Sequence, residues 1–166
     1  MEEEVLDALA GICRTSCTGI DELSRDFFEI FWEVIKVDLV ADLNEAWDVG
    51  CLSKNIKEGL IFLIPNVQGI KTDVRQWRLI TLLNTIYKNF ANILAKRVKP
   101  HLHALINVGQ TGFMEHRCIM DTVLTFCEEK TNQHMACLMV DFEKAYDRVQ
   151  WPFLDKVMEK SGLPSK

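Results

Sequence analysis

The run Ala136-Cys-Leu-Met-Val-Asp-Phe142 constrains the fold more than any other part of the sequence. It is apolar on both alternating faces, and a strand of that kind has to be covered on each face and flanked by other strands. The run therefore predicts a buried strand that delivers Asp141 at its carboxyl end. A carboxylate held where a buried strand emerges is rigid, and it can occupy one position on Mg²⁺ while water and phosphate supply the rest. Apolar strands ending in aspartate also occur throughout α/β proteins for purely structural reasons, so by itself Asp141 fits either role.

The rest of the chain reads as helices around a short hairpin. Residues 2–12 put acids in a first turn and Val5, Leu6, Leu9 and Ile12 at helical spacing. After a loop over 14–22, Ser24 is placed to cap a long helix that turns Phe27, Phe28, Phe31, Trp32, Ile35, Leu39, Val40 and Leu43 inward and ends near Gly50. Residues 60–65, a β-branched and aromatic run stopped by Pro65, and residues 78–82 predict a hairpin around a polar connection. An amphipathic helix follows over 82–95, broken near Pro100 and resumed through Leu102 and Leu105. A polar connection over 107–117 leads to a helix over 119–130. A last helix over 151–161 turns Trp151, Leu154 and Val157 or Met158 to the core. The expected fold class is α/β of the α+β kind, mostly helical.

The most apolar stretches run out within about ten residues, too short to span a bilayer. The opening Met-Glu-Glu-Glu is acidic where a secretory signal starts basic, which predicts an intracellular chain, nuclear or cytoplasmic, with no membrane contact. The six cysteines form no CxxC pair, and His101, His103 and His116 lack partners at tetrahedral spacing, so buried thiols are expected rather than zinc. The net charge of −5 is unevenly spread. Residues 1–59 hold five Lys/Arg against fourteen Asp/Glu, residues 60–117 eight against two, and residues 118–166 six against eight. A basic stretch between acidic flanks fits a face that meets phosphates, and a solvated helix face accounts for the same charges.

The segment Leu138-Met-Val-Asp-Phe-Glu-Lys-Ala-Tyr-Asp-Arg-Val149, followed by Trp151, Phe153 and Leu154, resembles the first palm motif of LINE-type (non-LTR) retrotransposon reverse transcriptases. Upstream, Leu63-Ile-Pro65, Arg78-Leu-Ile-Thr-Leu-Leu-Asn-Thr-Ile-Tyr-Lys88, Leu94-Ala-Lys-Arg97 and Gln110-Thr-Gly-Phe113 with Arg117 are similar to that family's finger motifs, in the same order. The acidic opening with Gly19, Asp21 and residues 27–32 is similar to the stretch before the fingers. The resemblance covers nearly the whole chain. It divides the chain into an acidic helical segment (1–59), a fingers-like region (60–134) and the start of a palm (135–166).

The resemblance implies RNA-templated DNA synthesis by two-metal phosphoryl transfer, with an RNA template, a DNA primer and deoxynucleotides as partners and Mg²⁺ as cofactor. Asp141 would ligate Mg²⁺, with the Phe142 carbonyl as a further oxygen. Arg78 would grip the triphosphate with its guanidinium fork, where composition alone suggests only a solvated strand-end arginine. Tyr146 would pack under the sugar of the incoming nucleotide, where its plain alternative is a core tyrosine. Gln110, Phe113 and Arg117 would lie near the template and nucleotide pocket, and Lys96, Arg97 and Lys99, with Lys88, near backbone phosphates.

The sequence departs from the family at Asn66, where a lysine is usual, at Leu79, where a proline is usual, and at Glu115-His116, where Pro-Gly is usual. The resemblance also places the second palm motif and its paired aspartates beyond Lys166. The expectation is a truncated polymerase portion that does not polymerise alone, with an open palm-strand edge that invites self-association. A non-enzymatic nucleic-acid-binding remnant using residues 71–117 is the alternative. A Mg²⁺-dependent phosphohydrolase built on Asp141 would want a second acid or a lysine at the end of another strand, and the sequence offers no convincing candidate.

Overall fold

A computed structural model describes residues 1–65, 76–118, 120, 123–124 and 145–163. In chain order these form α1 (Glu2–Ala10), α2 (Arg25–Ile30), α3 (Trp32–Val49), α4 (Lys54–Lys57), β1 (Gly59–Pro65), β2 (Trp77–Leu83), α5 (Thr85–Leu105), α6 (Ala145–Arg148) and α7 (Trp151–Lys160). They belong to two compact units, Met1–Val98 and Lys99–Lys166. The described chain is mostly helical with one antiparallel hairpin. The strand expected over 136–142 lies outside the described residues, as does most of the helix expected over 119–130.

In the first unit, the apolar faces of α1, α2, α3 and α5 close on one core of Val5, Ala8, Leu9, Phe28, Trp32, Leu39, Leu43 and Ile93. Ser24 caps α2 as expected, its Oγ accepting from Phe27 N at 3.4 Å. At the other end of α3, Gly50 sits at φ 75°, and its N–H donates to the Ala46 carbonyl at 2.9 Å. The single helix expected between these caps is two, separated at Phe31 (φ −93°, ψ 12°). Apolar periodicity continues across that joint, so the sequence pattern does not disclose it.

Helix α1 is held from α5 by a polar ladder. Asn89 Nδ2 donates to the Val5 carbonyl at 2.8 Å, Asn92 Nδ2 to Ala8 at 3.3 Å, and Lys96 Nζ to Asp7 at 2.9 Å. Carbonyls in a last helical turn lack intrahelical partners and carry the negative end of the helix dipole. Helix α1 has no basic residue in that turn, so Lys96, with Arg25 Nη1 on the Ala10 and Ile12 carbonyls at 2.9 and 2.7 Å, supplies the missing positive charge.

The hairpin pairs Gly59 with Leu83 through to Pro65 with Trp77. Ile61 on one face is 66% exposed and Phe62 on the other 52%, so neither face of the pair is covered. The hairpin joins the core through Asn84 and Thr85: Asn84 Nδ2 donates to the Asn55 carbonyl at 3.2 Å and Thr85 Oγ1 to Leu23 at 2.6 Å. Gly19 lies buried against this junction, where a Cβ would fall within 2.5 Å of the Asn84 backbone nitrogen.

Three expectations need correction. Helix α5 runs through Pro100 to Leu105 without breaking; proline accepts helical φ, at the cost of its bond to the Lys96 carbonyl and of ring crowding against that carbonyl. Helix α7 forms as expected, but Trp151 is 76% exposed and no residue of that helix is buried. Its amphipathic pattern specified a helix without specifying a cover for it. Cys13, Cys17, Cys51 and Cys118 are exposed rather than buried, because each lies outside the apolar helix faces, in loops or at an element end.

Candidate functional site

The cations expected on a phosphate-facing helix are held inside the chain. Arg97 donates Nε and Nη2 to both Glu4 oxygens at 2.8 and 3.0 Å, and its guanidinium lies 4.1 Å from the centroid of a Trp47 ring. That hydrogen-bonded cation holds the Glu4 carboxyl down from the ordinary 4.5 to about 2. Lys96 Nζ meets Asp7 Oδ2 at 2.5 Å. Lys88 Nζ donates to Ser16 Oγ at 3.1 Å and to the Cys17 carbonyl. Two charges of the acidic opening, Glu4 and Asp7, and two of the basic middle stretch, Lys96 and Arg97, are thus two sides of one helix contact.

Arg78 differs. It is exposed on β2 opposite Ile64, and among the described residues no carboxylate lies within ion-pair distance of it. Leu79, in the place of the family's proline, continues the strand beside it.

In the second unit, the segment 106–117 folds back on itself. Gln110 N donates to the Asn107 carbonyl at 3.0 Å, Gly109 N to Asn107 Oδ1 at 2.8 Å, and Gln110 Nε2 to the Gly112 carbonyl at 3.4 Å. Arg117 closes the loop: Nη1 donates to the Asn107 and Gln110 carbonyls at 2.6 and 2.8 Å, and Nη2 to Ile106 at 3.4 Å. Met114 is buried, while Phe113 on its N-terminal side is 91% exposed. Phe113 and His116 both take left-handed backbone, φ 63° and 60°. The second falls where the resembled family carries glycine, the residue that adopts this conformation without strain. Lys99 binds Glu115, and this bond with the attendant charge keeps the Glu115 carboxyl below its usual range.

Tyr146 stands on α6, 80% exposed, outside the buried core of the described residues. Asp141 and Phe142 lie outside the described residues. Among the described residues no three His, Cys, Asp or Glu side chains gather as a metal site, and no helix is long and apolar enough to cross a membrane. Sequence reasoning missed Asn89, Asn92 and Asn84. For Asn89 the available signal was a polar residue in step with Ile86 and Ile93 on an otherwise apolar helix face; Asn84 and Asn92 carried no such signal.

These features sit in a chain whose class can be stated: it belongs to the reverse transcriptase (RNA-dependent DNA polymerase) family, which matches residues 68–166. It is also 30% identical, over 157 residues, to a Xenopus laevis protein described as the transposon TX1 uncharacterized 149 kDa protein. That likeness takes in 92% of this chain and 12% of the Xenopus protein, so the chain spans about an eighth of its relative's length. The family expected from the ordered motifs is the family found.

Proposed function

We propose that these 166 residues form the part of a retrotransposon reverse transcriptase that meets the incoming deoxynucleotide and the template, and that they do not synthesise DNA by themselves. On this reading the chain runs from the acidic segment 1–59 through a fingers-like region, 60–134, to the start of a palm, 135–166. The family match across 68–166 carries this reading. The exposed Arg78, left without a carboxylate among the described residues, supports its triphosphate role, since a guanidinium fork suits two phosphate oxygens at once. Tyr146, exposed, is available to a sugar ring. RNA template and DNA primer follow as partners, and the setting is intracellular.

Asp141 and the Phe142 carbonyl would hold Mg²⁺, which when bound neutralises charge developing on the transferred phosphoryl group. A two-metal site needs several carboxylates to clamp attacking and leaving oxygens, and the sequence offers one, Asp141, where a strand end is expected. Lys96, Arg97 and Lys99 already hold carboxylates of this chain, so on this reading their work is structural and phosphate contact falls elsewhere. Primer extension on an RNA template with Mg²⁺ or Mn²⁺ tests the reading. No product is expected, and extension that disappears in Asp141→Ala would overturn the claim of inactivity.

A further inference from the structure

The 106–117 loop combines two unfavourable features at one residue. Phe113 exposes nearly its whole ring and also takes left-handed backbone, which an aromatic residue rarely adopts. Apolar rings are ordinarily turned inward, and non-glycine residues ordinarily avoid this region, so something must hold the loop in this form. The holders are visible. Met114 is buried immediately after the ring, Lys99 ties down Glu115, and the Arg117 fork spans the Ile106, Asn107 and Gln110 carbonyls.

Arg117 spends three of its N–H donors on backbone oxygens, and no carboxylate lies within ion-pair distance of it among the described residues. Three carbonyls converging on one guanidinium need a planar, branched donor, a geometry that an ammonium on a flexible stem does not reproduce. We propose that Arg117 is a positioning residue that holds the 106–117 loop in shape, and that the loop so held presents Phe113 as a stacking platform for one base of a single-stranded nucleic acid. Every base has a π-face, so such a platform is indifferent to sequence. The surroundings do not repel a polyanion: Glu115, the one carboxylate of the 106–117 loop, is paired with Lys99. The inference rests on the proposed template-binding reading and goes further, in assigning Arg117 to the loop instead of to phosphate.

Binding of a fluorescein-labelled oligouridylate to the whole chain, followed by anisotropy across a salt series, tests it. Stacking contributes about 1–3 kcal/mol per base, so Phe113→Ala should weaken binding by about 5- to 150-fold. Phe113→Tyr should restore affinity and Phe113→Leu should not, because leucine keeps the apolar bulk and loses the π-face. Arg117→Lys should lose affinity while leaving the slope of log K against log salt unchanged. Wild-type binding that survives in Phe113→Ala would overturn the inference and leave the template reading standing. Absence of wild-type binding would overturn both. If Arg117→Lys binds as wild type while Arg117→Gln flattens the slope by about 0.7, Arg117 contacts phosphate and the positioning role is wrong.

Discussion

At Arg97 one guanidinium serves three neighbours, gripping Glu4 of α1, covering a Trp47 ring of α3 and approaching the Met1 sulfur at 3.6 Å. Its effect on Glu4 gives a pH signature. The folded carboxyl titrates near 2 and the ordinary group near 4.5, so the contribution is fully present above 4.5 and is lost as pH falls through 2. Glu4 is partly exposed, and solvent screening keeps the contribution small. Thermal unfolding of wild type and Glu4→Gln should therefore differ at pH 6, wild type melting higher, with the gap closing as pH falls toward 2. Curves that stay parallel throughout would show that the pair adds nothing. The charges themselves were plain in the sequence; who pairs with whom was not. Glu4 and Arg97 are far apart along the chain, and blocks of opposite charge fit a mutual contact as well as they fit a nucleic-acid face.

Among the elements, those with local instructions were the legible ones. Ser24 and Gly50 marked helix ends by their own backbone chemistry, and the runs at 60–65 and 78–82 formed the expected hairpin with its strands a residue or two longer. Elements that needed knowledge of neighbours were read less well. The helix through Pro100 and the uncovered faces of α7 depend on what packs where, which periodicity does not report. The hairpin poses the sharper problem, because Ile61 and Leu63 on one face and Phe62 and Ile64 on the other are all exposed. Open apolar strands are templates for pairing with other chains. Light scattering of the isolated chain should show self-association that Ile61→Lys reduces. An assembly state untouched by that charge would place the contact elsewhere, the strand expected over 136–142 being the next place to look.

For the whole molecule, the account divides the positive charges into two kinds. Lys96 and Arg97 hold the acidic α1 against α5 and Arg117 holds its own loop, whereas Arg78 is exposed with no carboxylate at ion-pair distance among the described residues. The motifs disclosed the family because their order along the chain is specific. They did not disclose this division, since a lysine that closes a helix end and one that meets a phosphate look alike in sequence. The measurement that separates them is the salt dependence of RNA binding in the double variant Lys96→Gln/Arg97→Gln, paired with its melting temperature. Each lost phosphate contact flattens the slope of log K against log salt by about 0.7 for a single strand. The account predicts a lower melting temperature and an unchanged slope. A slope flattened by one or more such steps, with melting unchanged, would contradict it and return these two residues to the nucleic-acid face.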